Sequence, residues 1–570
     1  MGPATTKQSL SGMRARRLPG GIHMCFKSDT DIVQTSSGPV VGLRDASNRV
    51  ERFLGIPYAE PPLGSLRFKP PVPKAPWAEV YFARQFGPAS MQISYPDQDT
   101  SKFSDDPAQW ELPYFGSEDC LSLNIWRPAE RGGGKRPLFI WVHGGANHLE
   151  GSRSPDYDGT ALCKTGDIVF ASLNYRLGPF GFLDVSALGG PQYAGSSCNG
   201  LRDQLLAIEW IIENASAFGA DPDNVTLAGE SAGGIDVSWL LASGHLKGRI
   251  KRAILMSNVK GPAGFGESAT SGSRHDPKIS QKIAADLLER LGFADFEALM
   301  QADGGKIFER LAGSAANEDT IFGLDSLFYP CVDETFVPVE PFRAIRQGAL
   351  DGLQLMIGYT NYETGLWLAY NPDMLQWPPE KTARRIGYLS PQVEAEVVGA
   401  YRKFFPEEAG GELGMRIIND FGFVGPVSQY AEEAAARGAK VWMYRFDWQV
   451  DDRLKAMHSA ELPYFFARPN DDAACNLIGP PQDAEDAGLR ERLSRIFSGY
   501  VSSFVHTGDP DTRRLPDAPT WPAFKLDDRS VMHLAEHCYV SIDPDGERRG
   551  WWHDRVYAPI MGSTVASAPA

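Results

Sequence analysis

The feature that most constrains the fold is a series of six short apolar runs, with helical periodicity between several of them. The runs are Leu138–Val142, Ile168–Leu173, Val225–Ala228, Ala253–Met256, Leu353–Ile357 and Val441–Phe446. Leu201–Asn214 and Ile279–Leu291 lie between runs and repeat apolar residues at helical spacing. Short apolar strands that alternate with helices predict an α/β fold with a large, mostly parallel central sheet covered by helices on both faces.

A single large domain is expected despite the length of 570 residues. No internal repeat and no long Gly/Ser-rich or Pro-rich linker divides the sequence. We predict a loosely attached segment over residues 1–30, one domain over 31–555 and a tail over 556–570. Long insertions near 90–120, 260–330 and 370–430 are where selectivity is expected, because connecting segments carry most binding residues.

Composition and charge argue against several classes of protein. A net charge of −16 disfavours nucleic acid as a partner, because phosphate binding needs a basic face. No apolar run is long enough for a membrane span, and the basic N-terminal residues precede no continuous apolar stretch, so no signal peptide is expected. Seven cysteines do not suggest a disulfide framework, which favours a reducing, cytoplasmic location. Histidine and cysteine do not cluster at metal-ligand spacing, so we predict no metal and no cofactor.

The run Val225–Ala228 ends at a glycine-rich turn that contains a serine. Residues 229–233 read Gly-Glu-Ser-Ala-Gly. Glycines two positions before and after Ser231 remove the Cβ atoms that would collide if the strand turned directly into a helix. Such an elbow exposes the serine hydroxyl and directs the N–H of Ala232 toward the same space. The pattern alone leaves two interpretations open, a nucleophilic serine and an ordinary strand-to-helix turn.

A second loop of small residues follows the run Leu138–Val142. Residues 143–146 read His-Gly-Gly-Ala, and small residues can turn backbone N–H groups toward a reacting oxygen. A serine hydroxyl is a weak nucleophile, so it needs such donors together with a base and an orienting acid. The alternative is a tight turn that only ends a strand.

Longer motifs occur in a fixed order along the chain. They are Phe-Leu-Gly-Ile-Pro-Tyr-Ala-Glu-Pro-Pro at 53–62, Glu-Asp-Cys-Leu-Ser-Leu-Asn at 118–124, Asn-Tyr-Arg-Leu-Gly at 174–178, Gly-Leu-Arg-Asp-Gln at 200–204 and Gly-Glu-Ser-Ala-Gly-Gly at 229–234. Together they resemble the type-B carboxylesterase family, which includes cholinesterases and para-nitrobenzyl esterases. The resemblance runs from about residue 31 to 555 and implies an α/β-hydrolase fold whose insertions form an active-site gorge.

The resemblance also implies a serine, acid and histidine in that chain order. Glu363 follows the run Leu353–Ile357, at the position of the family acid, although a lone glutamate there would more often be a solvated loop charge. His458 lies in Ala-Met-His-Ser-Ala-Glu-Leu-Pro-Tyr at 456–464, which resembles the family histidine segment. Imidazole suits the base because its usual pKa is about 6.5. The expected oxyanion donors are the N–H groups of Gly145, Ala146 and Ala232.

The chain departs from the family pattern in two places. Where the family loop reads His-Gly-Gly-Gly-Phe, this chain has Ala146 and Asn147. The Cβ of Ala146 is expected to restrict the backbone and to hinder esters of bulky tertiary alcohols. Cys120 lacks the partner that secreted members supply, because the matching segment has Ser90 in place of cysteine. We therefore expect seven free thiols.

Four further residues are candidates for substrate binding. Trp110 precedes Cys120 by ten residues, the spacing at which cholinesterases place a tryptophan that binds a quaternary ammonium. Glu230 beside Ser231 would add a negative charge, although it also belongs to the general family motif. His148 could line the entrance, but a surface histidine is the simpler reading. Trp367 is grouped with Trp377, Phe421, Phe423 and Trp448 as aromatic residues of a gorge or of the plain core.

The reading from sequence is a serine carboxylic ester hydrolase of small to medium organic esters. A carbamate or amide hydrolase with the same triad stays open, because the acyl-enzyme chemistry is shared. A non-catalytic, neuroligin-like interaction protein is the third alternative. The predicted partner is a small-molecule ester, and the oligomeric state stays open.

Overall fold

A computed structural model describes residues 28–561, except 46–48, 96–98, 111, 131–133, 259–275, 316–326, 386–388, 473, 475–476 and 514. The predicted N-terminal segment lies almost entirely outside the described residues, as does the end of the predicted tail. Helical structure continues through Met561, so the boundary predicted at residue 555 falls inside a helical segment.

A twelve-stranded mixed sheet forms the centre of the described chain. Its strands are β1 (Ser28–Asp29), β2 (Leu43–Asp45), β3 (Val50–Pro57), β4 (Ser122–Pro128), β5 (Arg136–Val142), β6 (Val169–Leu173), β7 (Ala220–Glu230), β8 (Arg252–Met256), β9 (Gln354–Thr360), β10 (Lys440–Phe446), β11 (Ser530–Leu534) and β12 (Tyr539–Ile542). The spatial order is β1-β2-β3-β4-β6-β5-β7-β8-β9-β10-β11-β12. Strands β6 to β11 in this order are mutually parallel, and antiparallel strands flank them on both sides.

Each of the six apolar runs is a strand of the parallel part, as the sequence predicts. Strand β7 begins earlier than its apolar run because residues 220–221 also pair with β5, ahead of a register shift at Pro137/Leu138. Two small sheets lie outside the main one and consist of Val33–Gln34, Pro39–Val41 and Tyr81–Phe82 in one and Gln92–Ile93 and Tyr114–Phe115 in the other.

Helices cover both faces of the sheet. The α-helices of the described chain are α1 (Thr160–Gly166), α2 (Gly178–Phe182), α3 (Ser186–Gly189), α4 (Asn199–Asn214), α5 (Ala232–Ser243), α6 (Pro277–Arg290), α7 (Phe296–Gln301), α8 (Gly304–Ala315), α9 (Pro341–Arg346), α10 (Gly365–Tyr370), α11 (Pro379–Arg385), α12 (Pro391–Phe404), α13 (Gly410–Asn419), α14 (Gly425–Ala436), α15 (Leu462–Phe465), α16 (Ala484–Thr507), α17 (Gly546–Trp552) and α18 (Ala558–Met561). The predicted helices at 201–214 and 279–291 correspond to α4 and α6.

Alternate residues of the buried strands serve two separate cores. In β5, Leu138 and Ile140 join the apolar cluster that includes α4, α5 and α14, whereas Phe139 and Trp141 join the cluster that includes α16. Strands buried on both faces read as continuous apolar runs, which is why their sequences show no alternation of polar and apolar residues. Since the parallel strands all end at the same edge, the loops after β5, β7 and β9 meet there.

Candidate active site

Ser231 occupies a strained turn between strand β7 and helix α5. Its backbone has φ 54° and ψ −126°, a region that non-glycine residues rarely adopt. A Cβ on Gly229 would lie 2.5 Å from the carbonyl of Gly233, and one on Gly233 would lie 2.2 Å from the carbonyl oxygen of Val142. Glycine at both positions therefore permits the close approach of α5 to β5 and β7, as the sequence motif predicts.

Glu363 lies just beyond the carboxyl end of β9 and is fully buried. Its Oε1 accepts hydrogen bonds from the Ser257 hydroxyl and from the backbone N–H of Thr360, both at 2.7 Å. Its Oε2 lies 2.5 Å from Nδ1 of His458. The carboxylate is thus fixed in one orientation, with one oxygen held by the protein and the other facing the imidazole.

The histidine segment is bound along the acid loop by backbone hydrogen bonds. The N–H of His458 donates to the carbonyl of Glu363 at 3.2 Å, and the N–H of Tyr362 donates to the carbonyl of Ala456 at 2.9 Å. A Cβ on Gly365 would lie 2.2 Å from the Leu454 carbonyl oxygen, so this contact also needs glycine. Residues almost a hundred positions apart in sequence are therefore aligned by their main chains.

Buried carboxyl groups surround the imidazole. Nε2 of His458 lies 3.2 Å from Oε1 of Glu230, which also accepts a 2.6 Å hydrogen bond from the Ser459 hydroxyl. Burial alone would lower the pKa of His458, but the carboxylates of Glu230 and Glu363 outweigh it and raise this pKa above its usual range. For carboxyl groups burial acts in the opposite direction, because it penalises their charged form. It raises the pKa of Glu230 and, more strongly, that of the nearby Glu461.

The loop after β5 lies against the serine elbow. A Cβ on Gly144 would lie 2.9 Å from a carboxylate oxygen of Glu230 and 3.2 Å from the Cβ of Ser231. Gly145 has φ 94°, and Ala146 has φ 51° although it is not glycine. Ala232 is the first residue of α5, a position at which the backbone N–H of a helix has no intrahelical acceptor.

Two aromatic rings flank the candidate base. The ring of Trp367 lies 5.5 Å from the ring of His458, and that of Phe423 lies 5.1 Å from it. The two aromatic rings are themselves 5.7 Å apart. Phe421 instead packs against Trp552 in a separate core. The sequence analysis groups Phe421 with Phe423, but the two lie two positions apart in the helical turn Asp420–Val424 and therefore face different surroundings.

The other candidates for substrate binding lie in different surroundings. Trp110 is 41% exposed, and its indole N–H donates to the carbonyl of Ser104 in its own loop. The carboxylate of Glu230 faces His458 and Ser459, which favours an effect on the histidine over contact with substrate. His148 is buried, so the reading of it as a surface histidine is wrong. Its backbone N–H donates to the carbonyl of Gly145 in the same loop, and its ring lies 6.2 Å from that of Phe328.

Five cysteines fall within the described residues, and no disulfide joins any two of them: Cys120, Cys163, Cys198, Cys331 and Cys538. Cys25 and Cys475 lie outside them. Cys120 is buried and contacts Ser90, the residue that replaces the cysteine of secreted family members, and burial raises the pKa of this thiol to about 12. In the described ranges, no group of three or more histidine, cysteine or acidic residues could hold a metal ion. None of the helices described here has the length and apolar character needed to cross a membrane.

Strands that bring a serine elbow, an acid loop and a histidine segment to one edge in this chain order give the protein the α/β-hydrolase fold. Comparisons with known proteins agree. The profile of the carboxylesterase family matches residues 29–548. A solved carboxylesterase of Geobacillus stearothermophilus superposes with a TM-score of 0.77 at 32% identity, covering 92% of this chain and 100% of that one.

Curated relatives extend the same match. The chain is 34% identical to the para-nitrobenzyl esterase of Bacillus subtilis, over 91% of this chain and 97% of the relative. It is 30% identical to the phenmedipham hydrolase of Pseudarthrobacter oxydans, over 89% and 95% respectively. The chain therefore belongs to the carboxylesterase family and is a carboxylic ester hydrolase. The fold and family predicted from sequence are confirmed, and the non-catalytic alternative is set aside.

Proposed function

We propose that the protein hydrolyses small to medium carboxylic esters through a covalent acyl-enzyme on Ser231. The observation that carries the proposal is the 2.5 Å contact between Glu363 and Nδ1 of His458 beside the serine elbow. A carboxylate on Nδ1 keeps the proton on that nitrogen, so Nε2 is the basic atom. In the structure, Nε2 of His458 lies 3.2 Å from Oε1 of Glu230. In the reacting complex, Nε2 has to face the Ser231 hydroxyl in order to accept its proton.

The proposed reaction has two halves. His458 accepts the proton of the Ser231 hydroxyl as Oγ attacks the ester carbonyl, and Glu363 stabilises the imidazolium. The tetrahedral intermediate collapses when His458 protonates the departing alcohol, which leaves an acyl group on Oγ. Water then attacks the acyl carbon with the same base, and the acid is released. Each half passes through a tetrahedral intermediate, and the N–H groups of Gly145, Ala146 and Ala232 would bind the oxyanion of both.

Shape and chemistry around the base support a preference for apolar substrate groups. The rings of Trp367 and Phe423 cover His458, so a group bound next to the imidazole meets aromatic surface. Trp367 is therefore a candidate contact for the substrate. A carbamate would require the same steps, since only the group attached to the carbonyl differs.

Ser231→Ala tests the proposal directly. A chain-length series of p-nitrophenyl esters, with choline esters, aryl carbamates and phenmedipham alongside, is assayed for wild type and variant. We expect Ser231→Ala to lose at least about 10⁴-fold in kcat, because the nucleophile is gone. Ser498→Ala removes a buried helix hydroxyl in α16 that donates to the Ser494 carbonyl, and serves as the matched control with unchanged kcat. A Ser231→Ala variant with wild-type turnover would overturn the proposal.

A further inference from the structure

A buried polar residue replaces the family's phenylalanine directly after the proposed oxyanion donors. Asn147 is 0% exposed, and its Nδ2 lies 3.3 Å from Oδ1 of Asp236 and 3.3 Å from the carbonyl oxygen of Phe328. Its own carbonyl accepts a 2.6 Å hydrogen bond from the N–H of Gly178. Asn147 thus connects the loop to three separate parts of the chain.

Asp236 joins this loop to the helix that begins at the serine elbow. It lies in α5 four residues after Ala232, so the two share one face of the helix. Its Oδ2 accepts a 2.5 Å hydrogen bond from Nε2 of Gln204 in α4. Among the described residues its partners are these two amides, and no cation pairs with it.

A carboxyl group in such a place is unfavourable for stability. Burial without a cation penalises the charged form, and it raises the pKa of Asp236 to about 7 although both amides oppose the shift. Since the carboxyl group of Asp236 does not favour folding, we look for its role in the candidate site. Its two contacts run to the loop that carries Gly145 and Ala146 and to helix α4, which packs against α5.

We propose that Asp236 is a positioning residue: with Asn147 and Gln204 it forms a buried clamp that holds the oxyanion loop in register with the N-terminus of α5. The inference rests on the proposed function, because it assigns the clamp to the oxyanion site. Ala146 and Asn147 both have positive φ, 51° and 60°, and residues in that region keep it only when surrounding contacts impose it. The clamp supplies those contacts on the side of the loop that faces the core.

The clamp would act on the transition state more than on substrate binding. Oxyanion donors must lie within hydrogen-bond distance of a negative charge that develops only during reaction. Relaxation of Ala146 by a few tenths of an ångström would weaken that contact and leave ground-state binding intact. The signature is a fall in kcat with little change in KM.

The first experiment compares Asp236→Ala with Asp236→Asn. We expect Asp236→Ala to lower kcat for a p-nitrophenyl ester by at least about tenfold, with KM changed by less than about twofold. Asparagine keeps an acceptor for Asn147 and presents an N–H to Gln204, whose amide can rotate to offer its oxygen. Asp236→Asn should therefore retain kcat within about threefold of wild type. An asparagine variant as impaired as the alanine variant would contradict the clamp.

The second experiment is a double-mutant cycle with Asn147→Ala. This variant leaves α5 unchanged, so it tests the clamp by itself if Asp236→Ala folds poorly. We expect Asn147→Ala to lower kcat as Asp236→Ala does. The kcat of the double variant should fall no further, because both substitutions remove the same contact between Asn147 and Asp236. Ser243→Ala is the control, because its hydroxyl donates to the Leu240 carbonyl at the C-terminal end of the same helix, away from the loop. Single variants with kcat within about twofold of wild type, or losses that multiply in the double variant, would overturn the inference.

These outcomes are separable from failure of the proposed function. If Ser231→Ala kept activity, the proposed mechanism would fail whatever the clamp variants did. If Ser231→Ala is inactive while Asp236→Ala and Asn147→Ala turn over normally, only the clamp fails.

Discussion

Five of the thirteen non-glycine residues with positive φ in the described part of the chain lie at the candidate site. Ala146, Asn147, Ser231, Ser257 and Ser459 all have φ between 48° and 66°. Each such residue stores about 1–3 kcal/mol of strain that the surrounding structure must impose. Ser231 is the proposed nucleophile, Ser257 and Ser459 donate to Glu363 and Glu230, and the other two belong to the proposed oxyanion loop. At these five positions, strain accompanies groups that have to be aimed at a partner or a ligand.

Ala146→Gly should relieve strain at φ 51° and remove the methyl group that we expect to face the substrate. We expect at least about a tenfold gain in kcat/KM for tertiary-alcohol esters, because a methyl-sized obstruction is worth about 1–3 kcal/mol. Primary-alcohol esters should change far less. Hydrolysis rates of matched tert-butyl and ethyl esters measure the difference.

The control for this substitution is Arg49→Gly, an exposed residue with φ 56° outside the described site. It relaxes a left-handed residue without touching the loop, so its ester selectivity should equal that of wild type. Equal rates for tert-butyl esters in Ala146→Gly and wild type would count against the steric role of Ala146.

The pH dependence of hydrolysis should reveal the carboxylates around His458. The base works only when neutral, and the acid limb of kcat/KM reports its pKa in the free enzyme. Because Glu230 and Glu363 raise this pKa, the limb should lie above about pH 6.5, the usual value for histidine. Removing one carboxylate with Glu230→Gln should move the limb to lower pH. A limb that stays in place or moves upward in Glu230→Gln would contradict this assignment.

At the scale of elements, the site depends on how closely helix α5 approaches strands β5 and β7. Backbone atoms, which cannot move aside as a flexible side chain can, lie within 2.5 Å of the positions where Cβ atoms on Gly229 and Gly233 would be. The elbow is consequently a packing contact between three elements as well as a local turn. Any side chain there forces the helix away from the sheet.

Gly233→Ala should therefore destabilise the protein by about 3 kcal/mol and abolish activity, because its methyl group overlaps the Val142 carbonyl. Gly488→Ala is the matched comparison, since a Cβ on this exposed residue in α16 meets no atom within 4 Å. Alanine there should stabilise the helix by about 0.5–1 kcal/mol. Denaturant unfolding of the two variants measures both changes. Equal stability of the two variants would contradict the packing account.

The amino-acid sequence predicts the buried elements well and the exposed ones poorly. The central strands are continuous apolar runs because both of their faces are covered, whereas the outer strands β1, β2 and β12 are only two to four residues long and carry no such signal. Within the site, the pattern around Ser231 leaves an ordinary turn open, and the resemblance of the longer motifs to the family is what predicts Ser231, Glu363 and His458. The ring of Phe423 comes from a π-helical turn far away in sequence, and only the tertiary fold places it beside the base.

At the scale of the molecule, the parallel sheet assembles the site. Ser231 and His458 lie 227 positions apart in sequence, with Glu363 between them. His458 contacts both Glu363 and Glu230, the neighbour of Ser231, because β7 and β9 end at the same edge and the segment after β10 folds back over the acid loop. Insertions between strands can then vary without moving the proposed triad.

The oxidation state of the seven cysteines bears on the redox compartment in which the protein resides. Cys120 faces Ser90 in place of a partner cysteine. We expect mass spectrometry of the unreduced protein after alkylation to count seven modified thiols, one for each cysteine in the sequence. That result would support the predicted reducing, cytoplasmic location. A disulfide involving Cys120 would contradict it.

The central claim is that Ser231 carries the acyl group, and covalent labelling tests it most directly. The enzyme is inactivated with a reactive organophosphonate, and the site of the adduct is determined by peptide mass spectrometry. We predict one adduct per chain, on Ser231, that forms in proportion to the loss of esterase activity and is absent from Ser231→Ala. Inactivation with the adduct on another residue, or full activity of the chain labelled at Ser231, would contradict the account.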